Sequence, residues 1–132
     1  MIKAKLAKEA IVRLNNRVGV LAQVAKSIAE KGIKLDAIIA TVDGQDAIIQ
    51  MVSNEHQRMM NALREKHWEV QEAKVILVEC ENQAGQLQFI TEKLAQEKID
   101  MLYLYATTVK VDQCMVVLST TNNDWAVMAL NS

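Results

Sequence analysis

The sequence of 132 residues contains no proline, only four glycines and few aromatic side chains (4%). The absence of proline excludes a rigid Pro-rich linker, and four glycines are too few for a flexible Gly-rich one. The scarcity of aromatic residues argues against a β-sheet that binds RNA by base stacking. We therefore expect the structural units of the chain to be joined directly, without a tether.

The chain also lacks a strong charge of either sign and a long apolar run. Its net charge of −1 does not provide the basic surface that nucleic-acid-binding domains present. No apolar run approaches the roughly 20 residues needed to cross a bilayer, and the stretch from Met1 to Leu6 has no signal-peptide core. We expect a cytoplasmic protein that binds neither nucleic acid nor membrane.

Residues that bind metals or catalyse reactions are scarce and badly spaced for those roles. Cys80 and Cys114 stand singly in apolar runs, and we interpret them as two buried, reduced thiols. A disulfide would require their strands to be neighbours, and a cytoplasmic chain disfavours one. His56 and His67 lie at either end of one predicted helix and are expected on the surface. We predict no metal site and no cofactor.

A short motif occurs twice, 66 residues apart (82 − 16). The first copy is Asn16-Arg17-Val18-Gly19-Val20-Leu21, and the second is Asn82-Gln83-Ala84-Gly85-Gln86-Leu87. At the same offset, Lys31-Gly32-Ile33 matches Glu97-Lys98-Ile99. A repeat of this length is typical of a small domain used twice rather than of a solenoid.

Hydrophobic periodicity in the first copy predicts the order β-α-β-β-α-β. Period-two alternation indicates strands, and the spacing of Leu21, Val24, Ala25 and Ile28 indicates one face of a helix. The predicted elements are a strand to Leu14, a helix ending before Gly32, strands over 33–42 and 47–52 around the hairpin Asp43-Gly44, a helix over 55–66 with Met59 and Met60 inward, and a short strand over 68–71. This order is that of the ferredoxin-like split βαβ unit.

The second copy follows the same order but has no counterpart of the last strand. Its predicted helix buries Leu87, Ile90, Leu94 and Ala95, and Tyr103 and Tyr105 share a face of the next strand. The domains are predicted as residues 1–73 and 74–132. Without its last strand, the strand over 75–80 would expose an apolar edge. We expect either Ile2–Leu6 or another copy of the chain to cover that edge, unless the truncated end is simply left as it is.

These residues resemble the ACT domain, a small ligand-binding module of enzymes and regulators in amino-acid metabolism. The resemblance covers nearly the whole chain and rests on the two turns, the helix after the first turn and the closing Gly32-Ile33. The usual turn of the family is (Asp/Asn)-Arg-Pro-Gly; here Val18 and Ala84 replace the proline, and Gln83 replaces the arginine. The resemblance implies an α+β fold of two tandem ferredoxin-like ACT domains, as in stand-alone two-domain members of the family. The helices of each domain would lie on one face of its antiparallel sheet.

The resemblance implies a non-enzymatic regulatory module that binds a small amino-acid effector at these turns and where the domains meet. A helix N-terminus suits a carboxylate, and asparagine amides suit an α-ammonium group. The implied partners are the effector, a second copy in a homodimer and an unidentified regulated protein. The candidate ligand-binding residues are Asn15, Asn16, Arg17, Val18, Gly19, Val20, Leu21, Asp36, Asn82, Gln83, Ala84, Gly85, Gln86, Leu87 and Tyr103.

Three alternatives stay open at this point. Asn16 and Asn82 could simply cap their helices, with Gly19 and Gly85 permitting the turn and close helix–sheet packing. The protein could be a structural or oligomerisation protein without a working ligand site. An acyl-phosphate hydrolase is also compatible with the fold, but the glycine-rich anion loop it needs is absent. Between the two turns we favour the first, because it retains Arg17 and Gly32.

Overall fold

The computed structural model describes residues 2–132, which form six strands and four helices. In chain order these are β1 (Lys3–Asn15), α1 (Val20–Ala29), β2 (Ala37–Asp43), β3 (Asp46–Val52), α2 (His56–Arg64), β4 (Val70–Glu81), α3 (Gln86–Gln96), β5 (Met101–Lys110), β6 (Gln113–Thr120) and α4 (Asn123–Asn131). Within residues 2–132, no helix is both long and apolar enough to span a membrane.

The chain divides into two compact units. The central unit is Lys8–Ala73, and the terminal unit combines the segment ending at Ala7 with Lys74–Ser132. The first residues of the chain thus group with the second half, and the domain bounds 1–73 and 74–132 stay a prediction. The separate closing strand predicted over 68–71 was wrong, because β4 continues through Ala73 and Lys74 as one strand.

The central unit has the predicted ferredoxin-like order, β2-β3-β1-β4. The strand β3 pairs antiparallel with β1 on one side and with β2 on the other. Alternate residues of β1 and β3, such as Val12 and Ile49, contact Val24 and Ile28 of α1. The methionines Met59 and Met60 are fully buried in the same core, as predicted. Both helices therefore cover the sheet face that the period-two pattern marked as apolar.

The terminal unit has the order β1-β4-β6-β5, and within residues 2–132 no strand follows α4. The first residues of β1 take the place of the missing fourth strand. Ala4 is buried in the core with Ile76 and Ile90, and Ile2 packs against this core. The side chain of Asn131 accepts a hydrogen bond from the Ala4 amide (2.8 Å) and donates one to the Ala4 carbonyl (2.9 Å). The expected cover of the apolar edge is thus the N-terminal segment itself.

The buried face of each repeated helix differs from the prediction. In α1 the buried residues are Val20, Val24, Ser27 and Ile28, while Leu21 and Ala25 are exposed. In α3 the inward residues are Ile90 and Leu94, while Leu87 and Ala95 are exposed. A helical stripe is wide enough that residues at its margin cannot be assigned from spacing alone. Both segments are helices, as predicted, but each is rotated about its axis relative to the predicted buried face.

The helix caps also differ in detail. At α4 the N-cap is Asn122, whose side chain accepts a hydrogen bond from the Trp125 amide. At α2 the Oγ of Ser53 accepts a hydrogen bond from the amide of the N-cap Glu55 (3.0 Å). A short polar side chain one position away can satisfy the same amides, which limits cap assignment from sequence.

The closing positions of the repeat share one backbone conformation without sharing a residue type. Gly32 has φ 67° and Lys98 has φ 57°, both left-handed, and the next amide bonds back to the helix in each case. The amide of Ile33 donates to Ile28 O, and that of Ile99 donates to Leu94 O. This is the hydrogen bond that closes a helix end, and a left-handed lysine there costs about 1 kcal/mol or more.

Candidate functional site

The two repeated turns have the same backbone geometry. Gly19 has φ 88° and ψ −1°, and Gly85 has φ 91° and ψ −10°. Each glycine is the N-cap of the following helix, and neither cap residue makes a side-chain hydrogen bond. The left-handed conformation explains the glycine at both places, since side chains with a Cβ rarely adopt it. The first helical amides are thereby left without a side-chain acceptor at their caps.

The asparagines do not cap these helices. The amide of Asn16 donates to Gln45 O at 2.7 Å, and the amide of Asn82 donates to Asp112 O at 3.0 Å. Each asparagine therefore ties its turn to the neighbouring β-hairpin. A Cβ built on Gly19 or Gly85 meets no atom within 4 Å. The alternatives of helix capping by asparagine and of close helix–sheet packing at glycine are thus wrong.

The strand register decides which residues lie near each turn. In the central unit Asn15 pairs with Asp46, which pairs with Asp43, so the turn lies at the β2–β3 hairpin. Asp36 lies before the opposite end of β2, roughly 20 Å along the strand at about 3.3 Å per residue. The structure does not bring Asp36 to the turn.

The same holds for Tyr103 in the terminal unit. The turn at Asn82 lies beside the hairpin at Asp112, whereas Tyr103 pairs with Ser119 near the far end of β5. The ring of Tyr103 stacks on that of Tyr105, with centroids 6.5 Å apart, which confirms that the two share a face. Tyr103 is therefore remote from the turn, and a ligand-binding role for it stays a prediction.

The first turn is open to solvent. Its candidate residues Asn15, Asn16, Arg17, Val18, Gly19 and Leu21 are all exposed, and Val20 alone among them is buried. Val18 is fully exposed, and Arg17 Nη2 donates to Gln23 Oε1 at 3.3 Å. The arginine that favoured this turn in the sequence thus extends along the surface of α1.

The second turn adjoins a cleft of about 250 Å³ that lies wholly within the terminal unit. Four predicted residues line it: Asn82, Gln83, Gln86 and Leu87. The others are Cys80, Glu81, Ile90, Ala106, Thr107, Thr108, Cys114 and Val116. Ala84 and Gly85 form the turn itself without lining the cleft. The cleft is somewhat smaller than drug-sized pockets of about 300–1,000 Å³, which suits a small ligand.

The cleft contains a buried hydrogen-bond acceptor beside the start of α3. The N-terminus of α3 contributes the positive end of the helix dipole, while the Gln86 amide itself donates to Gln83 O at 3.2 Å. The Oε1 atom of Gln86, in the first turn of α3, is buried and has no hydrogen-bond partner. Glu81 also lines the cleft, and its carbonyl oxygen lies 3.8 Å from Cys114 Sγ. An unsatisfied buried acceptor costs about 1–3 kcal/mol, so a donor from a ligand would relieve a real penalty.

The cleft residues absent from the predicted site include Cys80 and Glu81 on β4 and Ile90 on α3, and the others lie on β5 and β6, away from the motif. Ala106, Thr107 and Thr108 reach the cleft because β5 is next to β6, which is next to β4. The sequence offered one signal, the two cysteines. Had Cys80 been paired with Cys114, β4 and β6 would have been predicted as neighbours. Across residues 2–132, no cluster of three His, Cys, Asp or Glu side chains is arranged to hold a metal ion.

A second group of polar side chains occurs in the central unit. Glu72 Oε1 lies 3.3 Å from Lys8 Nζ, and Glu72 Oε2 lies 3.1 Å from His56 Nε2. Neither ring nitrogen of His56 makes a hydrogen bond of complete geometry, so its contact with Glu72 is a close approach. The imidazole of His56, followed by the ammonium of Lys8, holds the pKa of Glu72 below its ordinary value. His56 is largely buried rather than on the surface, whereas His67 is exposed as predicted.

Comparison with known proteins adds to this geometry. The family described as ACT domain pair matches residues 6–131. Protein BT0572 from Bacteroides thetaiotaomicron superposes with a TM-score of 0.89 at 24% identity, covering 97% of this chain and 88% of that one. The ligand-free regulatory subunit of aspartate kinase from Thermus thermophilus gives 0.68 at 15% identity, with 98% and 94% covered.

A longer enzyme contains the same fold as a part of its chain. Aspartokinase III from E. coli, in complex with aspartate and ADP, gives a TM-score of 0.62 at 14% identity, and the match covers 98% of this chain but 32% of that one. At these identities the likeness establishes the fold. No curated protein matches the sequence.

Proposed function

Because the chain belongs to the ACT domain pair family, we propose that it is a non-enzymatic regulatory module that binds a small amino-acid effector. The family is a regulatory one, and the fold is shared with the regulatory subunit of aspartate kinase. We place the effector in the cleft beside the second turn. The observation that carries this assignment is the buried, unpartnered Oε1 of Gln86 beside the uncapped N-terminus of α3.

The proposed binding mode follows from the charges of an amino acid. The α-carboxylate points at the first amides of α3, where the helix dipole favours an anion. The α-ammonium group donates to Gln86 Oε1. The ligand side chain rests against Leu87, Ile90 and Val116. Their small combined surface favours a small or moderately apolar side chain.

The two copies of the motif provide a matched test of this mode. Val20 occupies in the first copy the position that Gln86 occupies in the second (86 − 66). Gln86→Val therefore converts the second turn to the chemistry of the first. Losing a hydrogen bond to a charged group costs about 1.5–3 kcal/mol, so we expect roughly 10- to 100-fold weaker effector binding.

The experiment is a thermal-shift screen with the common amino acids, followed by calorimetric titration of any that stabilise the protein. A ligand at about 100 times its Kd adds about 2.7 kcal/mol of stability. We expect the response to disappear in Gln86→Val and to persist in Arg17→Ala, the control at the first turn. A response lost in Arg17→Ala instead would move the site to the first turn. A flat response to every amino acid at millimolar concentration would contradict effector binding.

Self-association is the second candidate function, and the edge strands favour it. The strand β2 is the edge strand of the central unit, and it exposes Ile38 and Val42. The strand β5 is the edge strand of the terminal unit, and it exposes Leu102 and Val109. Exposed apolar edges pair with other chains unless they are protected. We propose a homodimer, which sedimentation of the wild type and of Leu102→Lys would test. A dimer without any effector response would favour the structural role.

The remaining parts of the proposal follow from the regulatory role. A module of this kind acts on a regulated partner protein, and its proposed location is the cytoplasm. Regulation requires that the effector binds two arrangements of the protein with different affinity. Affinity capture from the native host with and without the effector would test for such a partner, which is expected to bind in one condition and to be lost in the other.

A further inference from the structure

The two cysteines lie directly opposite each other on neighbouring antiparallel strands. Cys80 of β4 pairs with Cys114 of β6, and their Sγ atoms are 2.7 Å apart. Both are free thiols. Directly opposite residues of an antiparallel pair have Cα atoms about 4.5 or 5.5 Å apart, and disulfides span about 4.4–6.8 Å. The strand register thus already provides the spacing that a disulfide requires.

We propose that Cys80 and Cys114 form a redox modification site, in which the dithiol is converted reversibly to a disulfide. The proposal goes beyond effector binding and does not depend on it. Structural cysteines are usually inert because burial keeps the thiol protonated and out of reach of reagents. Here two thiols share one wall of an open cleft, so a small oxidant can reach them from solvent.

The two thiols differ in their surroundings, and this difference decides which of them attacks the oxidant first. Cys114 is half-buried and its Sγ lies 3.8 Å from the carbonyl oxygen of Glu81. Cys80 is 4% exposed, and burial, followed by the neighbouring Cys114 thiol, raises the pKa of Cys80 to about 12. Cys80 is therefore protonated at neutral pH and a poor first nucleophile. We assign Cys114 as the attacking thiol and Cys80 as the resolving one.

A low-molecular-weight disulfide such as oxidised glutathione is the co-reactant. The Cys114 thiolate attacks one sulfur of the oxidant, forming a mixed disulfide and releasing one thiolate. Cys80 then loses its proton to that released thiolate as its sulfur attacks Cys114 Sγ, and the second small thiol leaves. Two protein thiols are oxidised while one small disulfide is reduced to two thiols. A dithiol reductant reverses the exchange.

The disulfide would join two strands of the terminal unit beside the proposed effector cleft. It would close a loop between residues 34 apart in sequence, which restricts the unfolded chain and raises the melting temperature. Because the sulfur atoms already lie within contact distance, bond formation requires little movement of β4 or β6. The native hydrogen bonds of the strand pair are expected to survive oxidation.

The experiment uses the full-length protein, reduced and then equilibrated with mixtures of reduced and oxidised glutathione. Intact mass should show the loss of two hydrogen atoms without a bound glutathione, together with loss of both titratable thiols and a melting temperature raised by several degrees. Peptide mapping should locate the bond between Cys80 and Cys114. Dithiothreitol should restore the original mass and melting temperature.

Single variants separate this site from ordinary thiol reactivity. Cys80→Ser should stop at one glutathione on Cys114, whereas Cys114→Ser should react far more slowly. Circular dichroism before oxidation confirms that each variant is folded. Glutathione retained on both cysteines of the wild type, no reaction at either, or a bond only between two chains would each overturn the proposal. All of these readouts are independent of any effector, so the proposed function can fail while this proposal stands.

Discussion

The two strand-to-helix turns of this protein share a backbone but not a chemical environment. The dihedral angles of Gly19 and Gly85 agree within about 10°, and each glycine begins a helix without a side-chain cap. The first turn is exposed, and the next residue is the buried, apolar Val20. The second turn opens on a cleft, and the next residue is Gln86 with an unsatisfied acceptor. Repetition of a local motif thus preserves the conformation, while neighbouring strands decide whether it forms a site.

The largest expected effect tests whether the two turns really are equivalent in conformation. Valine at either Gly19 or Gly85 must adopt a left-handed backbone, which costs at least about 1–2 kcal/mol. Because no atom lies within 4 Å of either built Cβ, strain is the whole penalty and the two losses should be similar. Urea unfolding of both variants measures this.

Asparagine is the control for these substitutions, because it tolerates the left-handed region better than valine. Gly19→Asn and Gly85→Asn should each lose clearly less stability than the corresponding valine variant. A loss at Gly85 several times that at Gly19 would mean that the second turn is held by contacts that the first lacks.

A smaller effect tests the difference between the turns in the absence of ligand. Gln86→Val removes a buried acceptor without a partner, so the free energy of unfolding should rise by about 1 kcal/mol. The reverse change in the first copy, Val20→Gln, places a polar group at a buried position and should destabilise the protein by a similar or larger amount. Destabilisation by Gln86→Val would show that Oε1 is satisfied in solution.

The closing positions of the two copies provide a finer comparison. Lys98→Gly should stabilise the protein by about 0.5–1 kcal/mol, because glycine removes left-handed strain but loses more backbone entropy. Gly32→Lys should destabilise the protein by a comparable amount, because it places a left-handed lysine in the first copy, as Lys98 already is in the second. Thermal unfolding of the two variants measures both. Opposite signs are expected, and equal signs would contradict the equivalence of the positions.

The smallest effect concerns the central unit and its pH dependence. His56 and then Lys8 lower the pKa of Glu72 in the folded state. The stabilisation from this carboxylate is therefore complete above the unfolded pKa, 4.5, and is lost as pH falls through the folded pKa below it. In Glu72→Gln the stability at neutral pH should fall slightly, and the acid side of the stability profile should become flatter. An acid profile identical to the wild type would show that the ion pairs contribute nothing.

Much of the fold could be predicted from the sequence because its signals are local. Period-two strands, the Asp43-Gly44 hairpin and the repeated glycine turns each depend on a few adjacent residues. The helix faces were rotated, with Leu21 and Leu87 exposed instead of buried. The preference for the first turn rested on Arg17 and Gly32, and the structure leaves Arg17 on the surface. That preference concerns a ligand, and it stays untested until one is found.

The sequence by itself determined the duplication, the order of elements and the two left-handed turns, since backbone strain and hydrophobic period act within a few residues. Only the tertiary structure decided that the N-terminal strand completes the terminal unit and that β5 and β6 form a cleft beside the second turn. It also decided that Cys80 faces Cys114. These features arise from strand pairing between residues far apart in the chain, and such pairing depends on the packing of the whole core rather than on any local pattern.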